Sequence, residues 1–99
     1  MNEKIRNENM EFLFEAILEL KNKEECYHFF KDLCTVPELL AISQRVVVAK
    51  MLRDKAVYRE IVKNTGASTA TISRVNRSLK YGDSGYDLIF KRIEEKKEK

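Results

Sequence analysis

Gly66 lies between two short segments whose apolar residues recur at helical spacing, and this interruption constrains the fold more than any other feature. Glycine adopts a positive φ at little cost, so it suits a tight turn between two helices. The whole chain has only three glycines and one proline, and 35% of its residues are charged. That balance favours helices over a β-sandwich or a disordered chain. We therefore predict an all-α fold, with a single domain in 99 residues.

The apolar spacing predicts six helices along the chain. The first ends near Asn22, and the second is short and covers about residues 26–33. Thr35 is predicted to cap the third helix, because its hydroxyl can accept from free N–H groups while Glu38 reaches back as its capping-box partner. This third helix is expected to run to about Arg53.

Apolar residues occupy more than one face of the predicted third helix, so this helix requires burial on both sides. In a chain this small, a second copy can supply the missing cover. The alternative is a central helix inside a monomeric bundle, and periodicity alone leaves both open. The apolar residues concerned are Leu39, Leu40, Ile42, Val46, Val47, Val48, Met51 and Leu52.

The fourth and fifth helices are predicted at about residues 57–64 and 68–80, on either side of Gly66. Ser68 is a good N-cap for the fifth helix. A turn then leads to a last amphipathic helix over residues 84–97. The angle between the fourth and fifth helices is expected to be fixed by a small shared core, made of Ile61, Ala67, Ile72 and Val75.

The outer face of the predicted fifth helix carries short side chains with basic residues beside them. A helix enters the major groove of DNA only if its leading residues allow close approach, as Thr, Ala and Ser do. Flanking basic side chains can hold phosphates. The pattern therefore predicts a helix-turn-helix that binds double-stranded DNA, in preference to a helical hairpin with a merely polar surface. The predicted DNA-binding residues are Arg59, Lys63, Ser68, Thr69, Ala70, Ser73, Arg74, Arg77 and Lys80.

The basic charge is concentrated around this helix-turn-helix. Residues 53–82 carry seven Lys/Arg against two Asp/Glu, whereas residues 1–52 carry seven against nine. Such a distribution is expected of a face that meets phosphates. It leaves an alternative function open, a helical interaction module that binds RNA or an acidic protein. Salt-dependent binding without sequence preference would favour that alternative.

Other functional classes find little support. The chain has one histidine, no Gly-rich phosphate loop and no nucleophile elbow, so we predict no enzyme and no catalytic residue. Cys26 and Cys34 could form a disulfide or, with His28, part of a metal site, but reduced apolar cysteines are favoured and no metal is predicted. Without a run of eighteen apolar residues or a signal-peptide stretch, the protein is predicted to be cytoplasmic and not bound to a membrane.

The run from Gly66 to Arg74, Gly-Ala-Ser-Thr-Ala-Thr-Ile-Ser-Arg, followed by Asn76 to Lys80, Asn-Arg-Ser-Leu-Lys, resembles the DNA-reading segment of the Trp repressor-like family, in its YerC/YecD-type branch. The resemblance implies a six-helix fold and an intertwined homodimer, in which residues 1–53 form the dimerisation helices. It places the DNA-reading positions at Arg59, Thr69, Ala70 and Ser73, with Lys63 and Lys80 near the DNA backbone. It also implies a transcriptional regulator, a repressor of amino-acid metabolism genes that binds a pseudo-palindromic operator.

The resemblance further implies an effector site. In the family, tryptophan is held by two arginines and a threonine, which correspond here to Arg74, Arg45 and Thr35. Val75 stands where the repressor has a glycine that makes room for the indole. We therefore expect no tight binding of tryptophan and either a smaller amino-acid effector or none. No other cofactor is expected.

Overall fold

The computed structural model describes residues 3–98, and that part of the chain is helical without any strand. The six-helix, all-α prediction is confirmed. Residues 1, 2 and 99, which the predicted domain includes, lie outside the described residues. A turn of 3-10 helix comes first, and the six helices follow it. They are α1 (Glu8–Ile17), α2 (Lys23–Leu33), α3 (Val36–Arg53), α4 (Tyr58–Thr65), α5 (Thr69–Tyr81) and α6 (Gly85–Glu98).

The chain divides into two compact units, and the boundary falls between Leu39 and Leu40 within α3. In the first unit, α1 and α2 contain no buried residue. Their starts are set locally by asparagine caps, because the side chain of Asn7 accepts from the N–H of Met10 at 2.9 Å. This unit is therefore organised by local hydrogen bonds rather than by a core of its own.

The predicted end of the first helix was wrong, since α1 ends at Ile17 and not near Asn22. Asn22 is the N-cap of α2, with an extended backbone and a side chain that accepts from the N–H of Glu25 at 2.9 Å. The carboxylate of Glu25 in turn accepts from the N–H of Lys21 at 2.9 Å. These two bonds, from the N–H groups of Glu25 and Lys21, start a new helix, so residues 18–22 link two helices and α2 begins earlier than predicted.

The capping box at the start of α3 is confirmed. The hydroxyl of Thr35 accepts from the N–H of Glu38 at 3.2 Å, and the Glu38 carboxylate accepts from the N–H of Thr35 at 2.8 Å. These bonds, the backbone one first, hold the pKa of the exposed Glu38 carboxyl below its ordinary value. At the other end of α3, Lys55 adopts a left-handed conformation, and the N–H of Ala56 closes the helix on the carbonyl of Met51.

The second unit encloses a hydrophobic core that α3, α4, α5 and α6 all contribute to. α4 and α5 are in contact with each other. Partly buried apolar side chains from α3, α5 and α6 pack against the core. The observed bounds of α4, α5 and α6 lie within one residue of the predicted ones. The buried residues are Val48, Ala49, Ile61, Ala67, Ile72, Val75 and Phe90.

Charged and aromatic side chains join α6 to α3 in the second unit. Arg53 forms ion pairs with Asp87, at 3.1 Å, and with Glu94. Its hydrogen bond to Glu94, with a smaller effect of Asp87, raises the pKa of the guanidinium further above its ordinary value. The same guanidinium lies 5.8 Å from the ring centroid of Phe90, which stacks with Tyr86. Partly buried pairs of this kind orient α6 on the core.

Candidate nucleic-acid interface

The turn between α4 and α5 depends on Gly66, which has φ +71 and ψ 6. This confirms the predicted positive φ. No atom lies within 4 Å of where a Cβ would stand, so it is the backbone conformation rather than lack of space that favours glycine. The N–H of Gly66 closes α4 on the carbonyl of Val62 at 2.9 Å. Ala67 then enters the core, and α5 begins two residues later.

Ser68 caps α5, as predicted from its position. Its backbone is extended, and its side-chain oxygen accepts from the N–H of Thr71 at 3.1 Å. The cap leaves Thr69 and Ala70 as the first helical residues, both exposed. The start of α5 therefore presents short side chains to solvent, the arrangement that a major-groove helix needs.

One face of α5 is fixed in the core while the other is exposed. Ile72 and Val75 are 0% and 2% exposed and share the core with Ile61 and Ala67, which confirms the predicted shared core. Burial of this face against α4 fixes the rotation of α5 about its own axis. The nine residues predicted to bind DNA are all exposed: Arg59, Lys63, Ser68, Thr69, Ala70, Ser73, Arg74, Arg77 and Lys80.

The exposed surface of α4 and α5 is strongly basic. Arg59 and Lys63 lie on α4, and α5 contributes three more cations with no acidic residue of its own. Glu60 is the sole acidic side chain of α4. The summed field of such a surface attracts polyanions over several ångströms before any contact forms. Short central side chains flanked by cations thus form one candidate surface. We call it the reading face and define it as the nine exposed residues named above, which lie on α4, on α5 and at its cap Ser68.

The four predicted effector residues differ in their surroundings. Val75 is buried in the core, whereas Arg74 is exposed and Arg45 is half-buried. Thr35 belongs to the first unit, and its hydroxyl already accepts from the N–H of Glu38. The observed role of Val75 is therefore packing.

Sequence reasoning missed two side chains that support the turn. Gln44 of α3 donates through Nε2 to the carbonyl oxygen of Thr65 at 3.1 Å. The Thr65 hydroxyl donates to the carbonyl of Ile61 at 2.7 Å and accepts from the N–H of Ala67 at 3.1 Å. A polar residue beside the turn glycine was the available signal for Thr65. Nothing local marks Gln44, which lies 21 residues away in sequence.

The two cysteines and the histidine give no site in the described part of the chain. Cys26 and Cys34 are free and half-buried. His28 is exposed and lies 3.6 Å from the carboxylate of Glu24 on the next turn of α2. Within residues 3–98, no group of three or more His, Cys, Asp or Glu is arranged to hold a metal, and no helix has the length and hydropathy to cross a membrane.

Comparison with known proteins identifies the class to which this fold and reading face belong. The family model of the Trp repressor protein matches residues 8–94, so the chain belongs to the Trp repressor family, whose members are DNA-binding regulators and not enzymes. The chain is 50% identical over 93 residues to the uncharacterized protein YerC of Bacillus subtilis (strain 168), covering 94% of this chain and 89% of YerC.

Two solved structures are also similar to this chain. A TrpR-like protein from Eubacterium eligens ATCC 27750 superimposes with a TM-score of 0.91 at 56% identity, covering 93% of this chain and 95% of the other. A candidate Trp repressor from Staphylococcus aureus gives a TM-score of 0.92 at 52% identity, with 95% of each chain covered. These likenesses confirm the resemblance to the YerC-type branch and extend to the whole helical fold.

Proposed function

We propose that this protein is a sequence-specific transcriptional regulator, a repressor, that reads DNA with the reading face. The observation that carries the proposal is the start of α5, where a Ser68 cap exposes Thr69, Ala70 and Ser73 while Ile72 and Val75 fix the opposite face in the core. A rigid helix with short leading side chains can approach base edges closely. A regulator of this kind acts where the DNA is, so we propose a cytoplasmic protein.

The cations around α5 supply the binding that does not depend on sequence. Arg59, Lys63 and Lys80 flank the short side chains, and phosphate contacts of this type fix the register of a protein on the duplex. Thr69, Ala70 and Ser73 then meet the base edges. The phosphate contacts predict a strong salt dependence of binding, and the base contacts predict a preferred sequence.

We further propose that the protein acts as a homodimer, with the first unit as the dimerisation region. Apolar side chains are exposed all along it, including Phe12 at 70% and Leu18 at 83%. Leu40, Val46 and Val47 of α3, which belong to the second unit, are exposed as well. A surface of this type is unfavourable in water and is covered when a second copy packs on it. A two-fold protein reads a pseudo-palindrome whose half-site centres lie roughly 34–36 Å apart.

Selection from a random pool of double-stranded DNA tests the proposed function. We expect the selected sequences to share an inverted repeat with centres about one helical turn apart. Binding to the selected duplex should exceed binding to a scrambled duplex by about 10³-fold or more at fixed salt. Equal, salt-dependent binding to both duplexes and to RNA would favour a general polyanion-binding module instead.

We propose that Val75 holds the reading helix in place without a ligand. Its side chain fills part of the core beneath α5, and protein interiors are too closely packed for an indole to share that space. Titration calorimetry with tryptophan should show no micromolar binding. A smaller amino-acid effector, paired with Arg74 or Arg45 through its carboxylate, is the other arrangement, and the same titration with a set of amino acids would reveal it.

Val75→Gly separates a regulatory role of Val75 from ordinary packing. The change opens a cavity under α5 and adds backbone freedom, so DNA binding without ligand should weaken. Circular dichroism at the working concentration confirms that the variant is folded. A folded Gly variant that binds the selected duplex as well as the parent would show that Val75 has no part in presenting the helix.

A further inference from the structure

The turn that precedes the reading helix is tied to α3 by one side chain. Gln44 donates through Nε2 to the carbonyl oxygen of Thr65 at 3.1 Å, and both residues are half-buried. Thr65 is the last residue of α4, where carbonyl groups lack a partner within the helix. Gln44 thus satisfies a helix-end carbonyl with a donor from another helix of the same unit.

Thr65 connects α4 to the residue that follows Gly66. Its hydroxyl donates to the carbonyl of Ile61 on one side and accepts from the N–H of Ala67 on the other. Ala67 is followed directly by Ser68, the cap of α5. An unbroken series of hydrogen bonds and short covalent links therefore runs from α3 to the first residue of the reading helix.

The apolar core beneath α5 does not by itself fix the position of the turn, and this series of hydrogen bonds can do so. Apolar contacts between Ile61, Ile72 and Val75 are non-directional, so they hold α5 close to α4 but tolerate small shifts of the turn. Hydrogen bonds restrict direction as well as distance. Binding sites must be held within roughly 0.5 Å of the productive geometry, and a turn that drifts by more would move the leading residues of α5 away from the base edges.

We propose that Gln44 is a positioning residue for DNA reading, which sets the α4–α5 turn against α3 and so fixes the approach of α5. This inference rests on the proposed function. It assigns Gln44 no contact with DNA. Loss of its bond should loosen the turn and reduce the preference for the selected sequence, while binding to any duplex through phosphates stays the same.

Gln44→Met tests the proposal, because Met keeps the length of the side chain and removes the donor. Amide hydrogen exchange should show protection at Gly66 and Ala67 falling by about three- to tenfold, the range expected for one hydrogen bond. The amides of Ile72 and Val75 should keep their protection from exchange. The ratio of affinities for selected and scrambled duplexes should fall by a similar factor, with unchanged affinity for the scrambled one.

Ser43→Ala is the matched control. Ser43 precedes Gln44 on α3, and its hydroxyl donates to the carbonyl of Leu40 within the same helix. This variant should leave both the exchange at the turn and the affinity ratio unchanged. If it changed them as much as Gln44→Met does, any disturbance of α3 would have that effect and the proposal would be overturned.

Gln44→Glu should restore the hydrogen bond to Thr65 at low pH. A protonated carboxyl can donate to the Thr65 carbonyl, whereas an ionised one repels it, so protection of Ala67 should return as the pH falls through the pKa of the new carboxyl, at or above about 4.3. The core amides report any general effect of acid. Unchanged turn protection in Gln44→Met, or no recovery in Gln44→Glu, would overturn the role of Gln44. A parent protein with no preferred sequence would instead overturn the proposed function.

Discussion

The two units of this chain use similar apolar side chains in opposite ways. From Leu40 onward, the chain encloses a core in which Val48, Ile61 and Ile72 are fully buried. Before that point, among the described residues, α1 and α2 bury nothing, and Phe12 and Leu18 are mostly exposed. Comparable hydrophobicity therefore gives a self-sufficient unit in one case and an uncovered surface in the other. The second unit carries the reading face, and the first has the exposed apolar surface that we propose a second copy covers.

The difference extends to what stabilises each unit. Helix caps such as Asn7, Asn22 and Thr35 act within the first unit, and each contributes typically about 1 kcal/mol. In the second unit, each large buried side chain contributes about 2–5 kcal/mol. We infer that the first unit depends on association for its order, whereas the second keeps its fold largely through its own packing.

The largest expected effect comes from truncating the enclosed core. Ile72→Ala removes a fully buried side chain and should lower the free energy of unfolding by about 2–5 kcal/mol. Ile5→Ala makes the same chemical change in the first unit, where the side chain is 51% exposed, and should cost less than about 0.5 kcal/mol. Urea denaturation of both variants measures the difference. Equal losses would mean that Ile5 is buried as fully as Ile72, either in a core of the first unit or against a second copy.

The next effect concerns the uncovered surface. Phe12→Glu replaces an apolar side chain of α1 with a charged one. We propose that a second copy covers this side chain in the dimer. The dissociation constant of the dimer should rise by about thirtyfold or more, equivalent to about 2 kcal/mol, because the charge would lose its hydration in the interface. Sedimentation equilibrium at low micromolar concentration follows the dimer fraction, with Lys97→Glu at the exposed end of α6 as control. A parent that sediments as a monomer there would refute the dimer.

The features that the sequence predicted correctly are those determined by residues close together in the chain. Gly66, the Ser68 cap and the Thr35–Glu38 capping box each depend on neighbours within four positions, so their chemistry can be read directly. The wrong end of α1 had such a signal too, because Asn22 caps α2 through the N–H of Glu25, but the apolar pattern continues past Ile17 and predicts a longer helix.

Other features could not be read in this way. The contacts of Gln44 with Thr65 and of Arg53 with Glu94 join residues 21 and 41 positions apart, and only packing brings them together. Val75 differs from these contacts, because its helical spacing already predicted the core that it shares with Ile61, Ala67 and Ile72, and the structure confirms its burial.

On the reading face, the short side chains of α5 and the neighbouring cation Lys63 of α4 predict two different losses. Substituting Thr69 or Ser73 with Ala should change which base pairs are preferred, by about 1–3 kcal/mol for each lost preference. Lys63→Ala should weaken binding to all duplexes alike and lower the salt slope by roughly 1, since it would remove one phosphate contact. Anisotropy titrations at several salt concentrations measure both. An unchanged preference in both Thr69 and Ser73 variants would mean that α5 is not the reading helix.

The smallest effect is expected at the capping box of α3, where charge strengthens a local bond. The pKa of Glu38 is lowered because its carboxylate accepts from the N–H of Thr35, so the ionised form is favoured in the folded protein. A group with a lowered pKa stabilises the fold above its unfolded pKa, about 4.3, and this stabilisation is lost as the pH falls through the folded value.

Glu38→Gln tests the direction of this pH dependence, because Gln keeps the hydrogen-bond acceptor and removes the charge. The parent should be slightly more stable than the variant at pH 7, and the two should converge as the pH falls below the pKa of Glu38. Urea denaturation across the pH range follows the convergence. Glu15→Gln on α1, an exposed carboxylate outside any helix cap, controls for the change in net charge. If the parent kept its advantage at pH 2–3, the capping bond would not depend on ionisation, and shape alone would hold the start of α3.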